Sequence, residues 1–146
     1  MSSLLEVLTS ESKKTQAIAD CLELLEQEVA DKSGISGMAI KAGYAAVKNV
    51  KPGFVKNVVT DLMPEFGKAL DPIFQEAQST GRPVAAHFGA NASRAADALL
   101  AITDGKAARS KNAVVKGTYD RLRGMAKKHV ESAIPRLGKL IEKHAS

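Results

Sequence analysis

An apolar period of 3.6 residues that survives proline constrains this chain more than any other feature. Val55, Val59, Leu62, Phe66, Leu70, Phe74 and Ala77 keep one helical phase across Pro64 and Pro72. Val115, Tyr119, Leu122, Ala126, Val130, Ala133, Leu137, Leu140 and Ile141 do the same across Pro135. A strand cannot hold that spacing, because its side chains alternate with a period of two. Both segments therefore read as helices that bend at proline, where the ring removes one amide donor and crowds the carbonyl four residues back. Asp71 followed by Pro72 is a cap followed by a good first residue, so a break is expected there rather than at Pro64.

The shorter segments follow the same period. Leu4, Leu5 and Leu8 predict a short first helix, and Ile18, Cys21, Leu22, Leu25 and Val29 a longer second one ending near Asp31. Ser36 is expected to cap a third helix to about Lys48, in which Ala39, Gly43 and Ala46 form a narrow face that lets a neighbour approach closely. Pro52 reads as a first-turn proline, Gly81 as a turn and Pro83 as another start. A helix from Ser93 to Ile102 is predicted to end in a turn at Thr103, Asp104 and Gly105.

Composition agrees, with 23 alanines, 4% aromatic residues, no Trp and no alternating β-branched runs. A chain of 146 residues buries roughly 70% of its unfolded surface and needs no disulfide or metal staple. The expectation is an all-α, single-domain bundle of five to seven helices over residues 1–146, some kinked at Pro64, Pro72 and Pro135. One internal similarity stands out: Val59–Leu70 (VTDLMPEFGKAL) and Val130–Ile141 (VESAIPRLGKLI) share Val, Pro, Gly and Lys without a gap. Each is read as following a tyrosine-bearing helix, through Tyr44 and Tyr119. A duplication with a pseudo-twofold arrangement and mere similarity of helix chemistry both account for it.

No motif specifies a chemistry. Gly67-Lys68 and Gly105-Lys106 lack the earlier glycine and the following hydroxyl of a phosphate loop, since Leu62, Leu100, Ala69 and Ala107 stand there. The stretch KSGISGM has Met38 where a nucleophile elbow needs glycine; Ser36 then reads as a cap, with a weak anion nest at Gly34–Gly37 as the alternative. A helix-turn-helix register would place Pro52 inside the recognition helix. His87, His129 and His144 have no metal-ligand spacing, no Glu-x-x-His pair occurs, and the single cysteine, Cys21, lies on a packing stripe. No cofactor or metal is expected, and the balance leans away from an enzyme.

Charge is the remaining lead. The net +5 divides into −4 over residues 1–35, +2 over 36–100 and +7 over 101–146. The acidic front and basic back are expected to attract one another, within a subunit or across a dimer. On the last helix Lys116, Arg123 and Lys127 line one flank of the apolar stripe, while Arg121, Lys128 and Lys139 gather nearly opposite it. These six are the candidate contacts for an anionic partner, nucleic acid included, although without interleaved aromatics single-strand stacking is not expected. No uncharged stretch reaches the length of a membrane-spanning helix, and residues 1–14 lack the basic start of a secretory signal, so a cytoplasmic protein is expected.

The segments EVADKSGISGMAIKAGYAAVKNVKPGFV at 28–55, LMPEFGKALDP at 62–72, ALLAITDGKAARS at 98–110 and PRLGKLIEKHA near the end resemble a family of small bacterial proteins of about this length whose function is not characterised. The resemblance covers nearly the whole chain apart from Arg82–Asn91, implies a self-contained helical domain, and supplies no catalytic residues. The expected function is a non-enzymatic interaction protein that binds a macromolecular partner or itself. A carrier of a small or lipid-like ligand in an apolar cleft between helices is the alternative.

Overall fold

The computed structural model describes residues 3–145, and among them it contains seven helices and no strand. They are α1 (Leu4–Thr9), α2 (Lys14–Asp31), α3 (Gly34–Lys48), α4 (Phe54–Thr80), α5 (Val84–Ala90), α6 (Ala92–Ala108) and α7 (Ala113–Ala145). The all-α bundle read from periodicity is the fold observed. The long helices α4 and α7 form its spine, and the most deeply buried side chains sit around their C-terminal halves. Phe74, Phe88, Leu4, Leu70, Ile73, Ile134 and Ile141 are the largest of them, drawn from α1, α4, α5 and α7.

The prolines do not segment these helices. Pro64, Pro72 and Pro135 all lie on the exposed side, where a carbonyl deprived of its amide can be hydrated instead. The break expected at Asp71–Pro72 is absent because Asp71 serves elsewhere: its Oδ1 accepts the Leu4 amide at 2.8 Å, satisfying one orphan donor of α1. Three further boundaries differ from expectation. Ser36 lies inside α3, which begins at Gly34 after the N-cap position Ser33, so the Ser36 cap does not form. Pro52 lies in the turn before Gly53, whose φ of 75° makes the sharp entry to α4. Thr103–Gly105 continue α6, with the Thr103 and Asp104 side chains held from α7: Tyr119 donates to Asp104 and Thr103 bonds the tyrosine hydroxyl.

Two short helices lie across the spine at glycine. A Cβ on Gly67 would stand 3.0 Å from the Leu5 Cα, and one on Gly138 3.2 Å from the Ala85 Cα and 3.1 Å from the Phe88 Cβ. Thus α1 packs on α4, and α5 on α7, at the two glycines that the internal similarity aligns. The correspondence extends well beyond that segment. Tyr44 donates to Glu26 and Lys48 pairs with the same carboxylate, while in the other half Tyr119 donates to Asp104 and Arg123 pairs with it. Glu28–Arg136, at 3.5 Å, has its counterpart in Lys106–Glu65, at 3.1 Å, with the charges exchanged between the two positions. Ala17 and Ala95 are equivalent and both fully buried. The halves α1–α4 and α5–α7 therefore repeat one pattern, with one correction to the sequence reading: Tyr119 does not belong to a separate preceding helix. The first half of α7 takes the place of α3 and its second half that of α4, fused without a turn.

The same close approach governs the middle of the repeat. A Cβ on Gly43 would lie 3.1 Å from the Thr118 Cγ2 and 2.5 Å from the Leu122 Cδ1, so the small face predicted on α3 meets the first half of α7. Replacing Gly138 by Val is expected to destabilise the protein by about 1–3 kcal/mol through overpacking against α5. Gly124→Ala, where a Cβ meets nothing within 4 Å, is expected to stabilise it by up to about 1 kcal/mol. Chemical denaturation of both variants checks the contrast.

Candidate interaction face on α3 and α7

Helix α3 is apolar on both sides. Its inner side carries Gly43 and the half-buried Ile40 and Val47, while Ile35, Met38, Ala42 and Ala45 are exposed on the outer side. Ile35 is 91% exposed and Met38 70%, the two most exposed large apolar side chains among the described residues. Their spacing of three, four and three residues puts all four on one stripe. Along its first half, α7 presents Val114, Gly117, Arg121, Gly124 and Lys128 at the same alternation, and all five are exposed. Contacts at both ends set the two helices antiparallel: Gly43 against Thr118 and Leu122, and Lys32 Nζ with the Ser132 hydroxyl at 2.9 Å. A shallow groove opens between them, lined by Ala46, Ala113, Val114, Gly117, Thr118 and Arg121. The surface is two-toned, apolar along α3 and basic with small residues along α7.

The six basic candidates separate in the structure. Arg123 is bound through Nε and Nη2 to both Asp104 oxygens, at 2.7 and 3.1 Å, and Lys127 pairs with Asp97 at 2.9 Å, so both are turned to α6. Lys116 is exposed on that same flank. Arg121 and Lys128 stand on the α3 side and form no ion pair among the described residues. Lys139 lies apart from them, beside α2, in a surface groove with Asp20, Glu23, Leu24 and Arg136. What sequence reasoning missed is the apolar partner of the basic flank. Ile35 and Met38 sit in a segment read there for its serine and glycines, and burial decides which side of this mostly apolar helix faces out.

The acidic front of the chain folds onto the other end of α7. Asp20 pairs with Lys143 at 3.0 Å and His144 at 2.7 Å, Glu28 with Arg136, and Asp31 with Arg136 as well. The attraction expected between front and back thus acts within the subunit. It leaves Arg121 and Lys128 without a carboxylate from α2.

Reactive groups elsewhere are engaged in holding helices together. Burial, then the charge of Asp20, pushes the Cys21 thiol up to about 11, which leaves almost no thiolate at neutral pH. His87 bonds Glu76 at 3.0 Å, and Glu76 also binds Arg94, so α4, α5 and α6 meet at one carboxylate. Hydrogen bonds from Arg94, then from His87, lower the Glu76 carboxyl to about 2. Among the described residues no group of three or more His, Cys, Asp or Glu is arranged to hold a metal ion, and no helix is long and apolar enough to cross a membrane.

The different surroundings of the cations give a direct test. The Arg123 guanidinium, then the Tyr119 hydroxyl, hold the Asp104 carboxyl below the usual aspartate range. A depressed folded value adds stability above the ordinary range and loses it as pH falls through the folded value. Arg123→Met should therefore lower the thermal midpoint at neutral pH, with the deficit closing in acid, whereas Arg121→Glu should leave the midpoint unchanged. Thermal melts from neutral pH down to pH about 3 check both.

No curated protein and no solved structure matches this chain. A family model does, and its match to residues 4–145 runs from the first residue of α1 to the last of α7: the chain belongs to the family of unknown function DUF6918.

Proposed function

We propose that this is a non-enzymatic cytoplasmic interaction protein that binds an anionic macromolecular partner through the outer face of α3 and the first half of α7. One observation carries the reading: Ile35 and Met38 lie exposed on the same face as two cations, Arg121 and Lys128, that the fold leaves without counter-ions. Exposed apolar side chains gathered beside unpaired charge mark interaction surfaces. The internal repeat supports it, because the positions equivalent to Ile35 and Met38 in the second half are Ser110 and Ala113. The shared architecture thus does not require a large apolar residue at either place.

The basic C-terminal third contributes through part of its charge only. Arg123, Lys127 and Arg136 are committed to carboxylates of the same chain, so Arg121 and Lys128 are the cations offered to a partner on this face. The surface grooves are shallow and open, which favours a docking protein over a carrier that encloses its ligand.

Site-specific photocrosslinking in cells tests the reading without prior choice of partner. A benzophenone side chain at Met38 is expected to give macromolecular adducts that the same group at exposed Lys68, on α4, does not. Equal adducts at both sites, or none at either, would contradict it.

A further inference from the structure

Accepting that this face is a docking surface, we infer that its occupant is an acidic amphipathic helix of another protein, lying along the groove between α3 and α7. Spacing comes first. Ile35, Met38, Ala42 and Ala45 on one side, and Val114, Gly117, Arg121, Gly124 and Lys128 on the other, both follow the alternation of three and four with which helices meet along a seam. Two antiparallel helices showing such rows side by side form two of the three walls of a helix trio. The phosphate contacts that dominate a nucleic-acid interface are polar and would leave Ile35 and Met38 unused.

Charge chooses among helical partners. Arg121 and Lys128 are one heptad apart on the α7 wall, a separation that carboxylates at matching positions of a partner helix can meet. The apolar stripe of that helix would then lie on Ile35, Met38 and Ala42. A second copy of this chain offers no match through the same face, because neither row carries a carboxylate to meet Arg121 and Lys128. The acidic helix α2 has its large apolar side chains half or fully buried, and so shows a partner no apolar stripe.

The glycines point the same way. Gly43, Gly67 and Gly138 are each occupied by a close neighbour from another helix of the chain, whereas a Cβ on Gly117 or Gly124 would meet nothing within 4 Å. Glycine inside a helix costs stability, and no contact within the chain repays it at these two exposed positions. A helix backbone passing over the α7 wall would use that space. A lipid surface would not require it.

The test uses the full chain and a synthetic helix of about three heptads, with Leu and Ala along one stripe and Glu along one flank, beside a counterpart with Lys for Glu. Amide shifts in NMR are expected to move at Ile35, Met38, Ala42, Gly117 and Gly124 with the acidic helix and not with the basic one. Arg121→Glu combined with Lys128→Glu should weaken binding by about tenfold or more. Gly124→Leu should weaken it similarly while raising the thermal midpoint, a combination that a merely structural glycine would not give. No binding of the acidic helix, or binding unaffected by these variants, overturns the inference. Phosphatidylglycerol vesicles or duplex DNA bound through Met38 and Arg121 in its place would overturn it too, as would a dimer in light scattering that Met38→Asp dissolves. Those last outcomes leave the docking face standing and remove only the acidic helix.

Discussion

The fold depends on two short helices being pressed onto two long ones at glycine. With a Cβ at Gly67 or Gly138, the backbone of α1 or α5 would have to shift outward, loosening the packing of Leu4, Leu8, Val84 and Phe88 against α4 and α7. Aromatic residues are few, so the core gains its contacts from closeness of backbones rather than from large side chains. Asp71 fastens the arrangement by accepting the Leu4 amide, which fixes where the first helix starts on the fourth. The repetition of this device in both halves makes the molecule a pair of like units whose long helices interlock.

The charge asymmetry then determines what surface remains. Carboxylates of α2 meet the C-terminal half of α7, and carboxylates of α6 meet Arg123 and Lys127 on one flank of its first half. The flank facing α3 keeps Arg121 and Lys128 without an ion pair among the described residues. That flank borders the helix with the most exposed large apolar residues, so ion pairing inside the fold delimits the face proposed for a partner. The two halves also serve as a comparison for one another. Glu26, Tyr44 and Lys48 match Asp104, Tyr119 and Arg123 because they hold the architecture together, whereas Ile35 and Met38 have no match.

Much of this was legible in the sequence. Periodicity gave the helical class, the continuity of the last helix through Pro135, and the close face at Gly43. Four identities in the aligned segments identified the two glycines on which the short helices rest. The remaining equivalences were hidden, because the spacing between matched residues shortens along the chain and a charge-exchanged pair such as Glu28–Arg136 and Lys106–Glu65 shares no identity. Boundaries failed where a distant group decided them. Asp71 looked like the cap of its own helix and serves α1, and Thr103–Gly105 looked like a turn until Tyr119 and Arg123 were placed against them. The division among the candidate basic residues was hidden, since the carboxylates that pair with Arg123 and Lys127 lie on α6, far away in sequence. The proposed docking face was not legible, because a mostly apolar helix does not declare which side it buries.

The central claim is that a partner covers Ile35 and Met38 in the cell although the fold leaves them bare. Hydroxyl-radical labelling of Met38, measured in the purified protein and in intact cells with buried Met63 as the internal reference, tests it most directly. The account predicts rapid labelling of Met38 in the purified protein and marked protection in cells, with Met63 slow in both. Equal labelling of Met38 in the two settings would contradict it.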